Sequence, residues 1–547
     1  MPSLFQNPGK RFFYFARKSA LLRRMVALPV FSPLANRIGR RILQPAHDYP
    51  EWMQARLARR REMYACNGEP GLLSFLTTVW NTPLKLLRPA VESLLQNQTV
   101  AEFQWVLLDN GSSDAEVVRY LNHTVAADAR VVFLRVEKNL GIIAGMQLVL
   151  SKATGRYVLP FDSDDLLYSD AVAILTHQSH EKNYPPVLYT DEDKLQGNQP
   201  CWPYFKPDWD PVLFLSSCYT AHQGCMDRQL AIELGVYTDA GCDGCHDWDA
   251  FTRFMQAGHV PVHIPEIVYS WRMHRSSTAS NVRSKNYIFN SQRNLLSRYL
   301  AGTPYKDKFE LRLSPLFQGT PDWWMQRKSV DAMPMLVERI NPGTLVKSIL
   351  PRLADFSGLV CILHESVKLD QPEWPFEVTG LFELHHDAVM IGGRVINSHG
   401  KVVEGGRVPG FGGAFGCPDK GRDAADPGNF AEMWKPRSVS GVSTHLCVMR
   451  VGFLRQVIEE FSDQPISWFF LGAWAALSAW RNRQRIICTP FLSGISDFDF
   501  DAKVDGDEIN CFTEQAKDFL CDRRYYSRHL GLSAETAYQP VESSART

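Results

Sequence analysis

What is scarce in this sequence narrows the field first. Twelve cysteines in 547 residues are too few and too scattered for a disulfide framework. The one close pair, Cys242-Asp-Gly-Cys245, is either redox-active, half of a zinc site or two reduced thiols in a glycine-rich loop. No second pair stands at finger spacing, so reduced thiols are the simplest reading. No run reaches the roughly 18 apolar residues needed to span a bilayer. The most apolar, Trp468 to Trp480, is short and bounded by Arg481 and Arg483. The N-terminus has no clean signal-peptide core, because Arg17, Lys18, Arg23 and Arg24 interrupt it; a cytoplasmic protein is expected. Net charge is also missing, with Lys+Arg 59 against Asp+Glu 59, which excludes a wholly basic nucleic-acid coat and a wholly acidic solvating chain.

That zero hides an uneven distribution. Residues 1–61 carry 13 cations against Asp48 and Glu51, a net +11, and leave −11 on the remainder. Within this head, residues 11–30 mix Phe12, Phe13, Tyr14, Phe15, Leu21, Leu22, Met25 and Val26 with the cations. Such a stretch either lies on an anionic membrane surface as a peripheral contact or docks on its own domain with the basic face in water. No nucleic-acid-binding motif accompanies the charge.

From Leu72 the pattern becomes regular. Apolar runs at Leu72–Val79, Phe103–Leu108, Val131–Val136 and Tyr157–Phe161 read as strands. Helical-period stretches separate them, at Leu84–Gln96, from Asp114, and at Gly141–Lys152. Short strands alternating with helices predict βαβ units and a parallel sheet, whose ligands bind beyond the carboxyl ends of the strands. Asp109 and Asp162 fall there.

Four acidic segments stand out: Asp109-Asn-Gly-Ser-Ser-Asp114, Asp162-Ser-Asp-Asp165, Tyr189-Thr-Asp-Glu-Asp-Lys194 and His246-Asp-Trp-Asp249, the last opening a helix through Phe254. Asp-x-Asp at a strand end suits a hard divalent cation that keeps positions open for phosphate oxygens. The plainer alternative is helix capping by Asp164 or Asp165. A calcium-binding EF-hand loop is excluded, since Leu167 and Ala173 stand where it needs Gly and Glu.

Over about residues 70–285 the chain resembles the inverting family-2 glycosyltransferases of the GT-A fold, particularly bacterial O-antigen and rhamnan-type polysaccharide transferases. Eight motifs occur in the expected order: "TTVWNTP" (77–83), "LLDNGSSD" (107–114), "NLGIIAG" (139–145), "LPFDSDD" (159–165), "YTDEDK" (189–194), "FKPDW" (205–209), "HDWD" (246–249) and "IPEIVYSWRMHRSSTAS" (264–280). The resemblance implies a nucleotide-diphospho-sugar donor. Thr77, Thr78, Val79 and Asn81 would line the nucleotide pocket, Asp109 would accept a hydrogen bond from a pyrimidine base, and Asn139 and Gly141 would pack by the nucleoside. Asp162, Ser163 and Asp164 would bracket the ribose and Mg2+ or Mn2+, which offsets charge on the departing diphosphate. Asp247 resembles the general base that deprotonates the acceptor hydroxyl, and attack from the opposite face inverts the anomeric carbon. His274 is a further metal ligand, a diphosphate contact, or a histidine held in a loop by Trp271. Two departures stand out: relatives carry Gln or Glu where His246 stands, and Trp80 replaces a common Tyr. Neither removes a carboxylate.

Residues 331–547 read as a second, worn copy. "SGLVCILHESVKLDQPEW" (357–374) lines up with "GRYVLPFDSDDLLYSDAV" (155–172), and "SVSGVSTHLCVMRVGFL" (438–454) echoes "SSCYTAHQGCMDRQLAI" (216–232). "FFLGAWAALSAWRNRQRIICTPF" (469–491) echoes the segment around the base motif. Leu363-His364-Glu365 stands where Asp-x-Asp belongs, and Gly472-Ala-Trp-Ala475 where the base motif belongs. The expectation is therefore α/β throughout: a basic helical leader (1–66), a GT-A, Rossmann-like transferase domain (67–330) and a degenerate, non-catalytic GT-A-like domain (331–547). The enzyme would move a sugar, dTDP-rhamnose being the donor the resemblance favours, to a surface-polysaccharide or lipid-linked glycan acceptor at the inner face of a membrane. The rival is a non-catalytic carbohydrate-binding or assembly subunit. A sugar nucleotidyltransferase would need a glycine-rich loop near the first strand, and Leu72–Asn81 has none.

Overall fold

The computed structural model describes residues 49–274, 286–317, 322–329, 333–340 and 345–541. It opens with helix α1 (Tyr49–Met63), drawn from the basic head. This helix is built into the body: Tyr49, Met53 and Arg60 are buried, Arg60 pairs with Asp170, and Arg56 pairs with Glu266. The rest of the head, and with it the membrane-surface reading of residues 11–30, lies outside the described residues.

Strands β1 (Leu73–Val79), β2 (Gln104–Asn110), β3 (Val131–Val136) and β4 (Tyr157–Pro160) alternate with helices α2 (Leu84–Leu95), α3 (Ala115–Tyr120) and α4 (Ile142–Lys152), close to the expected bounds. Then come β5 (Leu166–Leu167), α5 (Ala171–Glu181), β6 (Val187–Gln196), β7 (Gln199–Tyr204), β8 (Gly224–Asp227), α6 (His246–Gln256), β9 (Val262–Arg272) and α7 (Asn286–Ala301). They form one sheet in the order β3-β2-β1-β4-β8-β6-β9-β5, with β7 on β6. Nearly every position of β1 and β2 is buried, because helices cover both faces. Trp105 and Leu107 of β2 pack toward α2 and α5, whereas Val106 and Leu108 face α4, α6 and α7, the two-residue period of a strand.

A hairpin, β10 (Phe309–Leu313) with β11 (Trp323–Arg327), joins this unit to the next. Its adjacent tryptophans point opposite ways. Trp323 stacks on Phe289 of the first unit at 4.6 Å, and Trp324 stacks on Phe491 of the second at 4.2 Å.

The second unit holds β12 (Met335–Ile340), β13 (Leu359–His364), β14 (Lys368–Leu369), α8 (Trp374–Leu384), β15 (Ala388–Ile396), β16 (Val402–Glu404), β17 (Gly406–Pro409), β18 (Phe415–Gly416), β19 (Arg437–Val439), β20 (Gly441–Val442), β21 (Leu446–Arg450), α9 (Leu471–Arg481) and β22 (Arg485–Ile495). Its main sheet runs β12-β13-β21-β15-β22-β14. That order repeats β1-β4-β8-β6-β9-β5 strand for strand. The directions also match: β12 is parallel to β13 as β1 is to β4, and β15 is parallel to β22 as β6 is to β9. Leu359 pairs with Met335 as Tyr157 pairs with Leu73.

The expectation of a GT-A-type α/β domain followed by a degenerate relative is met, and the degeneracy goes beyond lost side chains. β1 and β4 are separated by residues 80–156, which carry β2, β3 and three helices. β12 and β13 are separated only by residues 341–358. The second unit has no counterpart, among the described residues, of the half that in the first lies beyond β1.

Candidate active site

The ladder of β4 continues through Phe161, whose N–H donates to the Leu76 carbonyl at 2.9 Å. The chain then leaves the sheet in a turn carrying Asp162, Ser163, Asp164 and Asp165 and re-enters as β5. One ligand atom from each of the three carboxylates falls within 4.8 Å of the others. They are not equivalent. Asp165 is buried, and both its oxygens are occupied: Oδ2 accepts from the Tyr269 hydroxyl at 2.7 Å and Oδ1 from the Arg272 N–H at 2.8 Å. Burial, reinforced by Asp162 and Asp164, holds the Asp165 carboxyl well above the usual range. Asp162 and Asp164 keep 56% and 33% of their side-chain surface open to solvent. His274 places Nε2 2.7 Å from Asp164 Oδ2.

The capping alternative is not what the structure shows. Helix α5 starts only at Ala171, and the Asp170 before it caps nothing with its side chain, which is bound instead by Arg60. Two open carboxylates with a third anchored behind them make a hard oxygen set that fits a divalent cation.

Several neighbours were not evident in the sequence. The Tyr-Thr-Asp-Glu-Asp-Lys segment reads as a polar stretch following a strand, yet it lies inside β6 with Asp191, Glu192 and Asp193 all buried. Each has its partner. Asp191 meets His263 at 2.8 Å. Glu192 accepts from Lys206 Nζ at 3.2 Å. Asp193 accepts from the hydroxyls of Tyr49, Tyr168 and Ser270; burial raises it to about 6 even though those three bonds favour its charged form.

His222 sits between the two acidic layers. Its backbone N–H donates to Glu192 Oε2 at 2.7 Å, and its Nε2 is 3.7 Å from Asp162 Oδ2. Burial opposes the imidazolium, but Glu192, Asp162 and Asp247 outweigh burial and push His222 up to about 9. Each of the paired segments 216–232 and 438–454 carries one histidine, His222 and His445, one residue out of line in that pairing and brought into line by the strand register.

The nucleotide-side residues divide into two groups. Thr77 does not face the cleft: its hydroxyl donates to the Phe161 carbonyl at 2.7 Å and accepts from Trp105 Nε1 at 2.9 Å. Val79 is likewise in the core. Thr78 turns its methyl toward α4, where Gly145 allows close approach; a Cβ there would lie 3.0 Å from it. Asp109 is fully buried, and its carboxylate accepts from the Ser112 N–H at 2.9 Å and pairs with Arg135. A base would meet that pair rather than a free carboxylate.

At the rim, Asn81 accepts from the N–H groups of Ser113 and Asp114 at 2.8 and 3.1 Å, fastening the loop after β1 to the loop after β2. Asn139 Oδ1 accepts from the Gly141 N–H at 2.7 Å. Gly141 has φ +81 with nothing near its missing Cβ, so it leaves open backbone before α4. Ser163 shares a hydroxyl–hydroxyl bond of 2.7 Å with Thr82. Trp80, 59% exposed, stands beside them.

Asp247 lies in the first turn of α6; with desolvation and Asp164 it raises the pKa of Asp162, against the lowering pull of His222. On its other side it lines an open cleft of about 260 Å³. Nearby Cys242 and Cys245 are both free thiols, and among the described residues they join no group of three metal-ligating side chains.

The second unit gives an internal comparison. Equal strand register sets His364 opposite Asp162, Ser366 opposite Asp164 and Val367 opposite Asp165, as the paired segments 155–172 and 357–374 do, so the expected triplet Leu363-His364-Glu365 stands one residue too early. His445, the counterpart of His222, faces His364 with ring centres 6.1 Å apart. Burial first, then each other's charge or that of Arg407, holds both below the usual imidazole range, with Glu404 opposing at His445. The counterpart of Tyr269 is Gly494, where a Cβ would come within 2.6 Å of Val367. The hydrogen bond behind the acidic turn has become an apolar contact.

An uncharacterized protein of Sinorhizobium fredii is 30% identical over 318 residues, covering 56% of this chain and 34% of that protein. The O-antigen biosynthesis protein RfbC of Myxococcus xanthus is 28% identical over 278 residues, 49% of this chain and 22% of its own. The chain thus spans about a third or less of the length of these curated relatives. Among solved structures, S. aureus TarS in complex with UDP-GlcNAc overlaps 43% of this chain and 70% of its own at 16% identity, with a TM-score of 0.36. Residues 74–194 match the profile of glycosyl transferase family 2.

Proposed function

We propose that the first unit is an inverting, metal-assisted glycosyltransferase that moves a sugar from a nucleotide-diphosphate donor to a surface-polysaccharide or lipid-linked glycan acceptor. The observation carrying this reading is that Asp162, Asp164 and Asp247 gather at the carboxyl ends of the strands of one sheet, between a nucleotide-side rim and an open cleft. Asp162 and Asp164 would hold Mg2+ or Mn2+, with His274 steadying Asp164; the ion would supply countercharge to the diphosphate. Asp165, through Tyr269 and Arg272, keeps the turn in place. Asn81, Asn139, Gly141 and Ser163 would bind the nucleoside with Trp80 as a stacking face, while Thr77, Thr78, Val79 and Asp109 shape the pocket from behind. The imidazolium of His222 adds positive charge beside Asp162. Asp247 accepts the proton of the acceptor hydroxyl as its oxygen attacks the anomeric carbon from the face opposite the leaving diphosphate. Loss of both carboxylates and the nucleotide-side strands makes the second unit non-catalytic in this reading, so the rival of a binding subunit describes that half alone.

No described helix is long and apolar enough to cross a membrane. A cytoplasmic enzyme at the inner face of a membrane, held there by the basic residues of the head, is supported by composition. The test is transfer by the full chain with Mn2+ across a panel of nucleotide sugars, dTDP-rhamnose and UDP-GlcNAc included, in the presence of glycan acceptors. Asp247→Asn should lower turnover by about a hundredfold or more while nucleotide binding persists. Equal activity of wild type and Asp247→Asn with a productive donor would sink the assignment.

A further inference from the structure

The cleft beside Asp247 is not closed by the first unit alone. Its walls include Gln292, Asp322 and Trp323, and also Lys435, which belongs to the second unit. Lys435 is delivered by the connection between β18 and β19, whose middle grips the first unit. Asn429 Nδ2 donates to the Pro203 carbonyl at 3.0 Å. The Phe430 ring stacks on Tyr204 with centroids 3.9 Å apart and planes at 12°, and Lys194 Nζ lies 4.9 Å from the same ring centre. Phe430 and Ala431 both adopt left-handed backbone, φ 48 and 61, which residues with a Cβ disfavour. Such strain persists only where surrounding contacts impose it, and it clusters at functional segments.

At the end of this arm the Lys435 side chain is 8% exposed, and its ammonium stands 3.9 Å from the Asp322 carboxylate, too far for a hydrogen bond. Burial lowers the lysine and raises the aspartate, each partly offset by the other. A buried cation and a partly exposed carboxylate (19% open) facing across such a gap, both lining a polar cleft, offer one donor and one acceptor to neighbouring hydroxyls. Trp248 and Trp323 add apolar surface for the C–H face of a ring. The cleft opens beside Asp247, where an acceptor hydroxyl has to be presented.

We propose that this cleft is the acceptor subsite, that it takes a pyranose ring of a glycan, and that the worn unit completes it by placing Lys435 opposite Asp322. The inference rests on the transferase reading only in taking Asp247 as the base.

Saturation-transfer NMR on the full chain, with methyl α-L-rhamnopyranoside, methyl α-D-glucopyranoside, methyl β-D-galactopyranoside and methyl N-acetyl-β-D-glucosaminide as probes, tests it. At least one glycoside should bind wild type and bind about tenfold more weakly to Lys435→Met and Asp322→Asn, with Lys435→Arg recovering part of the loss. Gln292→Ala, on the first unit's wall, should weaken the same probe and serves should Lys435→Met not fold. Failure of every glycoside to bind, or unchanged binding in folded variants, overturns the proposal. UDP and dTDP titrated into wild type separate the two ideas: glycoside binding through Lys435 without any nucleotide binding would count against the transferase and leave the subsite standing.

Discussion

Replacing Arg60 with methionine asks whether the basic head is a detachable face or part of the core. The guanidinium is fully buried. It donates to Asp170 Oδ2 at 2.9 Å and to the Ile267 carbonyl at 2.6 Å, and lies 3.8 Å from Glu266. Asp170 and Glu266 side chains are each only 3% exposed. Methionine fills much of the volume, so packing changes little. The dominant cost is electrostatic, because Asp170 is left buried without its cation, which destabilises by about 3–5 kcal/mol. Arg59, one residue earlier, provides the contrast. It pairs with Glu62, and the two side chains are 34% and 58% exposed, so Arg59→Met should cost about 0–1 kcal/mol. Urea unfolding followed by far-ultraviolet circular dichroism measures both. Replacing the pair together, as Arg60→Met with Asp170→Leu, should recover most of the loss, since an apolar pair of similar volume is often neutral at a buried site. A loss under about 1 kcal/mol for Arg60→Met, or equal losses for the two arginines, would refute the view that α1 is structural.

Three further outcomes follow from the same contacts. Asp164→Asn should weaken Mn2+ binding by about tenfold or more in calorimetry, because a hard-ion site is tuned by its carboxylates; unchanged affinity would remove Asp164 from the site. Glu377, which accepts from Trp324 and Thr489, is raised by burial to about 7 against those bonds. The folded state therefore holds the proton more tightly than the unfolded one. This stabilisation is complete below the unfolded value near 4.5 and lost as pH rises through about 7, so wild type should fall relative to Glu377→Gln by up to about 3 kcal/mol across that window; a flat difference would contradict it. Trp324→Ala should destabilise the chain by about 3–5 kcal/mol in denaturant unfolding, and less than 1 kcal/mol would mean that the hairpin is not packed on the second unit.

The central strands and the acidic turn were legible because their signals are local. Apolar runs of strand length end in aspartates, and both the helical periods and the turn residues fall between them. The support of the site was not legible, for the opposite reason. Asp191, Glu192 and Asp193 look like surface residues until Lys206, His222, His263, Tyr168 and Ser270 arrive from other elements to neutralise or bond them. Likewise nothing near Asp165 announces Tyr269 or Arg272, about a hundred residues away. Thr77 and Asp109 show the limit of a motif: the residue types were in place, but strand pleat and the Arg135 pair turned their polar atoms inward. In the second unit the lost carboxylates could be read from aligned segments, whereas the missing strands could not, since an absent stretch leaves no motif to compare.

That missing half also changes the edge of the second sheet. β1 is bonded on both sides, by β2 and β4, but β12 is bonded only by β13, and no described strand covers its other side. A position that is central in one unit is a sheet margin in its relative. Alternate amides of β12 therefore point away from any strand partner and should take up deuterium far sooner than those of β1. Such a margin invites pairing with another chain unless charge discourages it. Within Met335–Ile340 the adjacent Glu338 and Arg339 supply that discouragement, and Glu338 is held by Arg352 at 2.7 Å.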